Sequence, residues 1–506
     1  MAPMTPPLAY AELLRRTHEH AVLTSCAAVL GWDQQTCLPR GGAGFRGDQL
    51  TLLAALAHER ATDPRLGEAL ATCEAGLPEL DDDLAAANLR ELRHSYDRAV
   101  KLPKRLVEEL AKATSDAHEA WTAARHDDDF AGFQPHLSRI VTLKREEAAA
   151  VGFAGEAYDA LLDEYEPGAT AVGVAALFAD LTKSLVPMIA AAMASGRKPK
   201  PGVLERDYPI DRQRWFAESA AAAVGFDFTR GRLDTAAHPF CSHVGPGDCR
   251  LTTRYNPKFF NEAFFGVLHE AGHGLYEQNL PAARFGQPAG CYCSLGIHES
   301  QSRLWENQVG RSADFWAAFF PRLTQAFPGT LDGVTPDDFL FAVSEVKPSL
   351  IRVEADEATY NLHIALRLEL ERALISGDLA VADLPGAWAE RFAALFGLTV
   401  PSDREGCLQD IHWSFGGFGY FPTYTLGNLY AAQLMNAANE AIPDLREGIR
   451  RADFAPLKGW LTANVHAHGR RYRAAELCER ATGHSLDAGE FVGYLREKLA
   501  RFYGVC

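Results

Sequence analysis

Two histidines and one glutamate in Phe260–Asn279 have the spacing that metal-dependent hydrolysis needs. The segment reads FNEAFFGVLHEAGHGLYEQN, and its apolar residues recur at the three- and four-residue spacing of a buried helix. On such a helix His269 and His273 project from one face, where two imidazoles can fill two corners of a tetrahedral zinc site. Glu270 follows the first histidine and can reach water at the metal as a general base. The segment therefore predicts a metallopeptidase of the H-E-x-x-H kind.

The third ligand is expected on a helix predicted around His298–Asn307, which reads HESQSRLWEN. A catalytic zinc ion usually takes three protein ligands and keeps one position for water, so a nearby helix must supply one more donor. Glu299 and Glu306 are the available carboxylates. Glu306 could equally be a solvated or salt-bridged residue. His298 could also be a ligand, although a histidine beside a glutamate is more often a neighbouring group.

Three further pairs of potential ligands have less favourable spacing. They are His18 with His20, His466 with His468, and Cys291 with Cys293. The two histidines of each pair would point apart on a helix, so both histidine pairs are predicted to lie at the surface. The cysteines could form a thiol metal pair, but no second cysteine pair lies near them in the sequence.

Most of the elements that position these residues are predicted to be helices. Ala, Leu, Glu and Arg are frequent nearly throughout, and apolar residues recur at intervals of three and four. Clear examples are Leu80–Arg98, Pro103–Arg125 and Leu137–Val151. Strand-like alternation is rare, and the main candidate is Arg250–Tyr255, which follows the turn signal Gly245–Asp248. We interpret this pair of segments as part of a short hairpin.

The chain is predicted to form one large all-α body with a small β element, a single domain over residues 1–506. The most loop-like stretch, Ser195–Asp207, could be a domain boundary but more simply connects two surface helices. We find no internal repeat and no low-complexity linker in the sequence.

Composition excludes several other classes of protein. The 506 residues are 47% apolar and 23% charged, and the net charge of −16 argues against nucleic acid or an anionic membrane as the main partner. The N-terminus has no visible secretory signal, and no uncharged apolar run reaches the roughly 18 residues of a membrane span, Leu185–Ser195 being the best candidate. The ten cysteines suggest no disulfide framework, which favours free thiols and the cytoplasm.

Beyond the first motif, the chain resembles the carboxypeptidase Taq family of metallocarboxypeptidases. Five segments match that family's signatures in order, and they are Asp248–Thr252 (DCRLT), His269–His273 (HEAGH), His298–Gln301 (HESQ), Ile351–Asp356 (IRVEAD) and Gly406–Trp413 (GCLQDIHW). Gly31–Thr36 and Tyr158–Pro167 in the N-terminal half are similar to family segments as well. The resemblance therefore covers essentially the whole chain.

The resemblance implies a mostly helical, saddle-like subunit with a deep groove, assembled as a homodimer. It implies that Glu299 rather than Glu306 is the third ligand, because Glu299 occupies the family's H-E-S-Q position. It also implies removal of single residues from peptides with a free C-terminus, with broad tolerance of the side chain released. Zinc is the expected metal, although cobalt or manganese could occupy the same ligands.

A carboxypeptidase must bind a free α-carboxylate, and arginine suits this task because its planar fork pairs bidentately with a carboxylate. The resemblance assigns this role to Arg352 over the alternative of a salt bridge to Asp356 on the same helix. Arg250 is a second candidate. It could instead pair with Asp248 and make the hairpin rigid, and the sequence leaves these two readings open.

The tetrahedral intermediate of peptide hydrolysis develops an oxyanion that needs hydrogen-bond donors besides the metal. His412 is a reasonable donor, although a lone histidine is more often structural. Tyr420 or Tyr424, in the glycine-rich segment that follows, could contact the intermediate or the substrate terminus, and either could equally belong to the aromatic core. Tyr420 is the slightly better candidate.

Two other functions remain possible at this point. The first is an oligopeptidase with the same metal chemistry that cuts inside short peptides and needs no carboxylate-binding arginine. The second is a non-enzymatic peptide-binding protein with a degenerate site. The four intact residues His269, Glu270, His273 and Glu299 argue against the second alternative.

Overall fold

The structure is a computed structural model that describes residues 5–505, and helices make up most of it. The described helices are α1 (Pro6–Thr36), α2 (Ala43–Ala61), α3 (Pro64–Ala75), α4 (Ala85–Lys101), α5 (Lys104–Asp127), α6 (Phe130–Val151), α7 (Ala157–Leu162), α8 (Ala171–Ala194), α9 (Ile210–Ala223), α10 (Phe260–Asn279), α11 (Leu295–Arg303), α12 (Ala313–Ala326), α13 (Pro336–Val343), α14 (Tyr360–Ser376), α15 (Leu384–Phe396), α16 (Pro422–Ala441), α17 (Leu445–Arg450), α18 (Ala455–Asn464), α19 (Ala474–Thr482) and α20 (Gly489–Tyr503). The strands are β1 (Gly231–Thr235), β2 (Cys241–Gly245) and β3 (Asp248–Thr253). The prediction of a mainly helical fold with a small β element is confirmed.

The small sheet has the strand order β1-β3-β2. Strands β2 and β3 form the predicted antiparallel hairpin, with a register shift beside the turn. Strand β1 was not predicted, and it pairs parallel with β3 over its whole length, Gly231 opposite Cys249 and Thr235 opposite Thr253. Its sequence GRLDT buries only Leu233, so alternation gave no signal for it.

The predicted helices exist with shifted ends. Helix α4 begins at Ala85 rather than Leu80, and α6 begins at Phe130 rather than Leu137. Pro103 is the N-cap residue of α5, one position before the helix, where its missing N–H leaves no donor unpaired. Between α8 and α9 the loop-like stretch Ser195–Asp207 has no regular element, as predicted.

Contacts within the chain define two compact units, each assembled from three separate stretches of sequence. Unit 1 comprises the described part of Met1–Val100, with Lys200–Val343 and Leu434–Ser485. It contains the sheet and α10, which packs against α9, β3 and α11. A cluster of aromatic side chains from α9, α10 and α12 fills the core beside α10, where Phe264 lies between Phe216 and Trp316.

Unit 2 comprises Lys101–Pro199, Ser344–Gln433 and Leu486–Cys506, of which the described part ends at residue 505. Helix α8 packs against α14 and α20 in this unit. Among the described helices, α8 alone is long and apolar enough to cross a membrane, and 33% of its most apolar window is buried. Its buried residues recur every three or four positions, so one face packs in the core as in an ordinary helix of a globular unit. Length and composition alone are weak evidence for a membrane span.

Candidate metal centre and arginine cluster

Helix α10 places the two motif histidines on one face, as the spacing predicts. The helix is buried over most of its surface, with thirteen of its residues buried from Phe260 to Glu277. Gly272 allows this packing, because a Cβ there would lie 2.4 Å from the carbonyl oxygen of Gln301 in α11. The two helices therefore meet backbone to backbone directly beside His273.

His269, His273 and Glu299 bring one donor atom each to within 4.8 Å of one another. The Oε2 atom of Glu299 lies 3.7 Å from Nε2 of His269 and 3.4 Å from Nε2 of His273. Two donors bound at the usual zinc distances in a tetrahedral site would lie about 3.3 Å apart. The two imidazole nitrogens and one carboxylate oxygen therefore suit a divalent metal ion in chemistry and in spacing.

The Nδ1 nitrogen of each imidazole also has a hydrogen-bond partner. His269 Nδ1 lies 2.9 Å from Oε2 of Glu306, and His273 Nδ1 lies 3.0 Å from the carbonyl oxygen of His298. Each contact places the ring proton on Nδ1 and leaves the Nε2 lone pair directed at the other donors, which is the usual arrangement of a metal-binding histidine. Glu306 thus contacts a candidate ligand from outside the donor set.

Glu306 reaches this position because the chain changes its helical pitch after α11. Leu304–Val309 form a π-helical turn that continues directly from Arg303. Extra residues in such a turn rotate the side chains that follow, and π turns often occur at functional sites. The geometry corresponds to the salt-bridged reading of Glu306 and not to the solvated one, since its side chain is 13% exposed and contacts His269, Arg303 and Arg311.

Arg303 sets the charge of the carboxylates beside the histidines. Its Nε atom donates to Oε1 of Glu299 at 2.7 Å, and Nη1 contacts Glu306. Burial opposes ionisation of both glutamates, but Arg303 and His269 outweigh it and hold the pKa of Glu299 well below its usual range. The same effects lower the pKa of Glu306 to about 2. Both carboxylates are therefore ionised at neutral pH.

Glu270 differs from these two glutamates. Burial raises the pKa of the Glu270 carboxyl to about 7, and His269 opposes that shift only in part. A carboxyl group that titrates near neutral pH can both accept and return a proton, which is what a general base in peptide hydrolysis must do.

Arg250, on β3, pairs with a neighbour on its own strand. Its Nε and Nη2 atoms donate to the two carboxylate oxygens of Asp248 at 2.8 and 2.7 Å. The guanidinium also lies 4.4 Å from the ring centre of Trp32, which belongs to the Gly31–Thr36 segment. Of the two readings left open by the sequence, the geometry corresponds to the pairing with Asp248.

Unit 2 contains a buried pair of arginines that share one carboxylate. Arg352 donates from Nε and Nη2 to Oδ1 of Asp410 at 3.0 and 2.7 Å, and from Nη1 to the hydroxyl of Tyr360 at 2.8 Å. Arg367 donates from Nε to the other oxygen, Oδ2, at 2.7 Å. Burial opposes ionisation of Asp410, but the two arginines outweigh it and keep its pKa far below the usual range. Two cations therefore surround one anion in a buried cluster.

The alternative of a salt bridge between Arg352 and Asp356 is wrong. Arg352 lies in a short 3-10 turn and not on a helix with Asp356. The Asp356 carboxylate instead accepts hydrogen bonds at the start of α14, from the hydroxyl of Thr359 at 2.7 Å and from the backbone N–H of Ala358 at 2.9 Å. Because Asp356 is used in this way, Arg352 pairs with Asp410, which is more distant in the sequence.

His412 and the tyrosines lie beside the same arginines. His412 Nε2 is 3.3 Å from the hydroxyl of Tyr424, and Nδ1 is 3.9 Å from Oδ1 of Asp410. Tyr420 packs on His412 with ring centres 5.3 Å apart. Burial lowers the pKa of His412 to about 3, so the imidazole is neutral at physiological pH and has one N–H to donate.

Sequence analysis missed Asp410 as the partner of Arg352, although Asp410 lies in the quoted segment Gly406–Trp413. It also missed Arg367, for which the helical sequence around it gave no signal. The prediction that His466 lies at the surface is wrong. Its Nε2 atom is buried 2.9 Å from Oε1 of Gln301, because the residue occupies a 3-10 turn and not a helix.

The two other predicted pairs form no metal site with a third donor among residues 5–505. Cys291 donates to the carbonyl oxygen of Gln287 and Cys293 to that of Tyr472. His18 is exposed, as predicted. None of the nine described cysteines forms a disulfide bond.

Comparisons with known proteins agree on one family. A model of the carboxypeptidase Taq (M32) metallopeptidase family matches residues 12–499. Thermostable carboxypeptidase 1 of Thermus thermophilus is 48% identical over 513 residues, covering 99% of this chain and 100% of the relative. Carboxypeptidase 1 of Bacillus subtilis is 36% identical over 492 residues, covering 97% of each.

Solved structures give the same result. The M32 carboxypeptidase from Deinococcus radiodurans R1 matches with a TM-score of 0.95 at 42% identity, covering 98% of this chain and 100% of that chain. Trypanosoma cruzi metallocarboxypeptidase 1 matches with a TM-score of 0.93 at 34% identity, covering 98% of this chain and 99% of that chain.

A mainly helical fold in which an H-E-x-x-H helix and a glutamate of a second helix could hold a metal ion is typical of a metallopeptidase. The chain belongs to the carboxypeptidase Taq (M32) family. It is a metallocarboxypeptidase, a peptide hydrolase that depends on a divalent metal. Membership confirms the predicted carboxypeptidase over both the oligopeptidase and the non-enzymatic alternatives.

Proposed function

We propose that the chain binds one zinc ion through His269, His273 and Glu299 and releases single residues from peptide C-termini, with broad tolerance of the side chain. The spacing of the three donor atoms and the protons placed on both Nδ1 atoms support this ligand set. Cobalt or manganese could replace zinc, because histidine and carboxylate ligands also accept those metals.

Glu270 is the proposed general base. When bound, the metal supplies Lewis-acid polarisation of the scissile carbonyl and lowers the pKa of water. Glu270 then accepts a proton from the attacking water and returns it to the leaving amine. Its pKa, raised to about 7 chiefly by burial, supports both transfers near neutral pH.

Arg352 is proposed to bind the α-carboxylate of the substrate. One observation carries this assignment. The ion pairs of Arg352 and Arg367 in the described chain both end on Asp410, so the buried cluster has one more cation than anion. A second carboxylate would balance that charge, and the planar guanidinium of Arg352 can pair with it through two parallel hydrogen bonds. Binding the terminal carboxylate fixes cleavage one residue from the end.

His412 and Tyr420 are proposed to contact the substrate. Neutral His412 has one N–H with which it can stabilise the developing oxyanion, and its neighbour Tyr424 can orient that donor. Tyr420 packs on the same imidazole and could contact the terminal residue. Arg250 is proposed as a weaker candidate for substrate contact, because Asp248 already takes two of its donors.

We also propose a cytoplasmic homodimer. The absence of disulfide bonds among the nine described cysteines is in keeping with a reducing compartment. The hairpin of α1 and α2 in unit 1 leaves large apolar side chains in solvent, among them Phe45 at 70% and Leu52 at 61% exposure. A second copy of the chain would cover them.

Sedimentation should show a dimer that the double change Phe45→Glu and Leu52→Glu converts to a monomer, while Ile210→Glu, at another exposed apolar site, leaves it intact. A dimer in all three proteins would rule out this surface.

The proposed chemistry is tested by digesting a mixed peptide library with metal-free protein and with the same protein reloaded with zinc. Mass spectrometry should show series of peptides shortened one residue at a time from the C-terminus, and only after reloading.

Glu270→Gln should retain stoichiometric zinc and lose about 10²–10⁴-fold in rate, because glutamine cannot accept the proton. Glu262→Gln, at a half-buried position in the first turn of the same helix where Glu262 pairs with Arg254, is the control. Near-normal turnover by zinc-loaded Glu270→Gln would overturn the assignment.

A further inference from the structure

A chain of close polar contacts leads from His273 away from the donor set. His273 Nδ1 lies 2.6 Å from Nδ1 of His298, and His298 Nε2 lies 2.9 Å from Oε1 of Glu277. On the far side, Nδ1 of His243 in β2 is 3.2 Å from the other oxygen of Glu277. Glu277 is 7% exposed and lies one helical turn after His273 on α10.

Metal binding dictates where the protons in this chain reside. A histidine that gives its Nε2 lone pair to a metal must carry its proton on Nδ1. His273 therefore donates, and its single Nδ1–H faces both the carbonyl oxygen of His298 at 3.0 Å and Nδ1 of the His298 ring at 2.6 Å. With that proton on His273, Nδ1 of His298 must accept. His298 then carries its own proton on Nε2, which it donates to the Glu277 carboxylate 2.9 Å away. If His298 donated to His273 instead, His273 would carry its proton on Nε2, the nitrogen that faces the metal.

The two candidate histidine ligands are thus supported in different ways. His269 has a glutamate, Glu306, directly on its Nδ1. His273 is connected to a glutamate, Glu277, only through the ring of His298. The rings of Tyr276 and Tyr292 flank His298 at 5.5 and 4.9 Å between ring centres, which restricts its rotation. A ligand histidine bonded to an anion is more basic and better oriented, and both effects strengthen metal binding.

We propose that Glu277 and His298 are positioning residues. Together with the backbone carbonyl of His298 they hold His273 in its metal-binding tautomer, and the negative charge of Glu277, acting through the His298 ring, makes His273 a stronger ligand. The proposal rests on the proposed function in one respect, that His273 is a metal ligand. Neither residue touches substrate. Their effect is on the affinity for the metal, so catalysis at saturating metal should change little.

The test is the dissociation constant of zinc, measured on metal-free protein by competition with a chromophoric chelator. Glu277→Gln keeps the size and one acceptor of the side chain but removes its charge, and should weaken zinc binding by about 10–100-fold. His298→Phe should weaken it similarly. Glu91→Gln is the matched control, because Glu91 is another buried glutamate of unit 1 that is paired with arginine. It should leave the zinc affinity unchanged.

A double-mutant cycle distinguishes an effect of Glu277 that passes through His298 from a general effect of its negative charge on the metal. If Glu277 acts through His298, Glu277→Gln should cost little further affinity when phenylalanine already replaces His298. Additive losses in the cycle, or an unchanged dissociation constant in Glu277→Gln, would overturn the proposal. His298→Asn serves in the same cycle if the phenylalanine variant does not fold, since it also cannot reach Glu277.

Two further measurements distinguish failure of this inference from failure of the proposed function. His273→Ala should lose zinc whatever Glu277 does, and retention of zinc by that variant would mean that the ligand set is wrong. Turnover of Glu277→Gln at saturating zinc should return to within a few-fold of the unmodified chain. Turnover that stays low at saturating zinc would show that Glu277 acts on catalysis and not on the metal.

Discussion

Gly272 of α10 lies against Gln301 of α11 at a distance that excludes any side chain. A Cβ at position 272 would be 2.4 Å from the carbonyl oxygen of Gln301 and 2.6 Å from the Cα of Ser302. This contact sets the spacing between the helix of His273 and the helix of Glu299. The glycine in HEAGH therefore has a structural reason that lies in the partner helix.

Gly272→Ala should push the two helices apart, because neither backbone atom can yield. Overpacking of this kind costs about 1–3 kcal/mol, and the zinc affinity should fall with it. Gly266→Ala on the same helix is the control. Its Cβ would meet only Thr253 at an ordinary 3.6 Å, and alanine should stabilise the helix by roughly 0.5–1 kcal/mol. Thermal unfolding and zinc titration measure both effects, and equal melting temperatures for the two variants would contradict the packing argument.

The two carboxylates of the second helix should differ in their effect on metal binding. Glu299→Ala removes a proposed ligand and should abolish zinc binding at micromolar metal. Glu306→Gln leaves the ligands in place but removes the anion on Nδ1 of His269, so affinity should fall by about 10–100-fold. Isothermal titration with zinc measures both. Retention of zinc by Glu299→Ala, or complete loss in Glu306→Gln, would show that Glu306 is the ligand.

The sequence alone does not determine which of these two glutamates is the third ligand. The histidines are four residues apart on one helix, so local geometry alone brings them together. Which glutamate completes the set depends on how α11 crosses α10 and on the π-helical turn that carries Glu306. Spacing left that choice open, and only the resemblance favoured Glu299.

The arginine cluster shows the same limit over a longer range. Arg352 was predicted from its segment, but its partner Asp410 is 58 residues away in the sequence. Neighbouring Asp356 was the better local candidate for a salt bridge, and the structure uses it at the start of α14 instead. Strand β1 was missed for a similar reason, because a parallel partner is not adjacent in the chain.

Asp410 should make folding stability depend on pH. Its folded-state pKa is depressed by Arg352 and Arg367, which outweigh its burial. Its stabilising effect is therefore complete above the unfolded pKa of about 3.9 and is lost progressively as the pH falls below it. Asp410→Asn should lower the melting temperature strongly at pH 7, and the gap to the unmodified chain should narrow between pH 4 and pH 3. Asp207→Asn, at an exposed site, should show a small gap at every pH. A gap for Asp410→Asn that is constant with pH would contradict the assigned charge state.

The last prediction concerns how the enzyme recognises the end of its substrate. If Arg352 binds the α-carboxylate, Arg352→Ala should retain zinc and lose carboxypeptidase turnover. A charge-assisted, bidentate contact contributes roughly 1.5–3 kcal/mol, which corresponds to a factor of about 10 to 160 in kcat/KM. Arg352→Lys should restore only part of the rate, because a point charge lacks the planar fork. Arg372→Ala is the control, since Arg372 pairs with Glu156 at a half-buried position of the same unit.

Peptides amidated at the C-terminus separate substrate recognition from folding. They lack the carboxylate, so the unmodified enzyme should cleave them poorly and Arg352→Ala should slow them little further. A structural role makes the opposite prediction. Arg352 binds Asp410 and Tyr360 as well, and if its function were only to hold them, its loss would impair free-acid and amidated peptides by the same factor. In that event Arg367, the other guanidinium on Asp410, and Arg250 would be the next candidates, and the same pair of substrates would test them in turn.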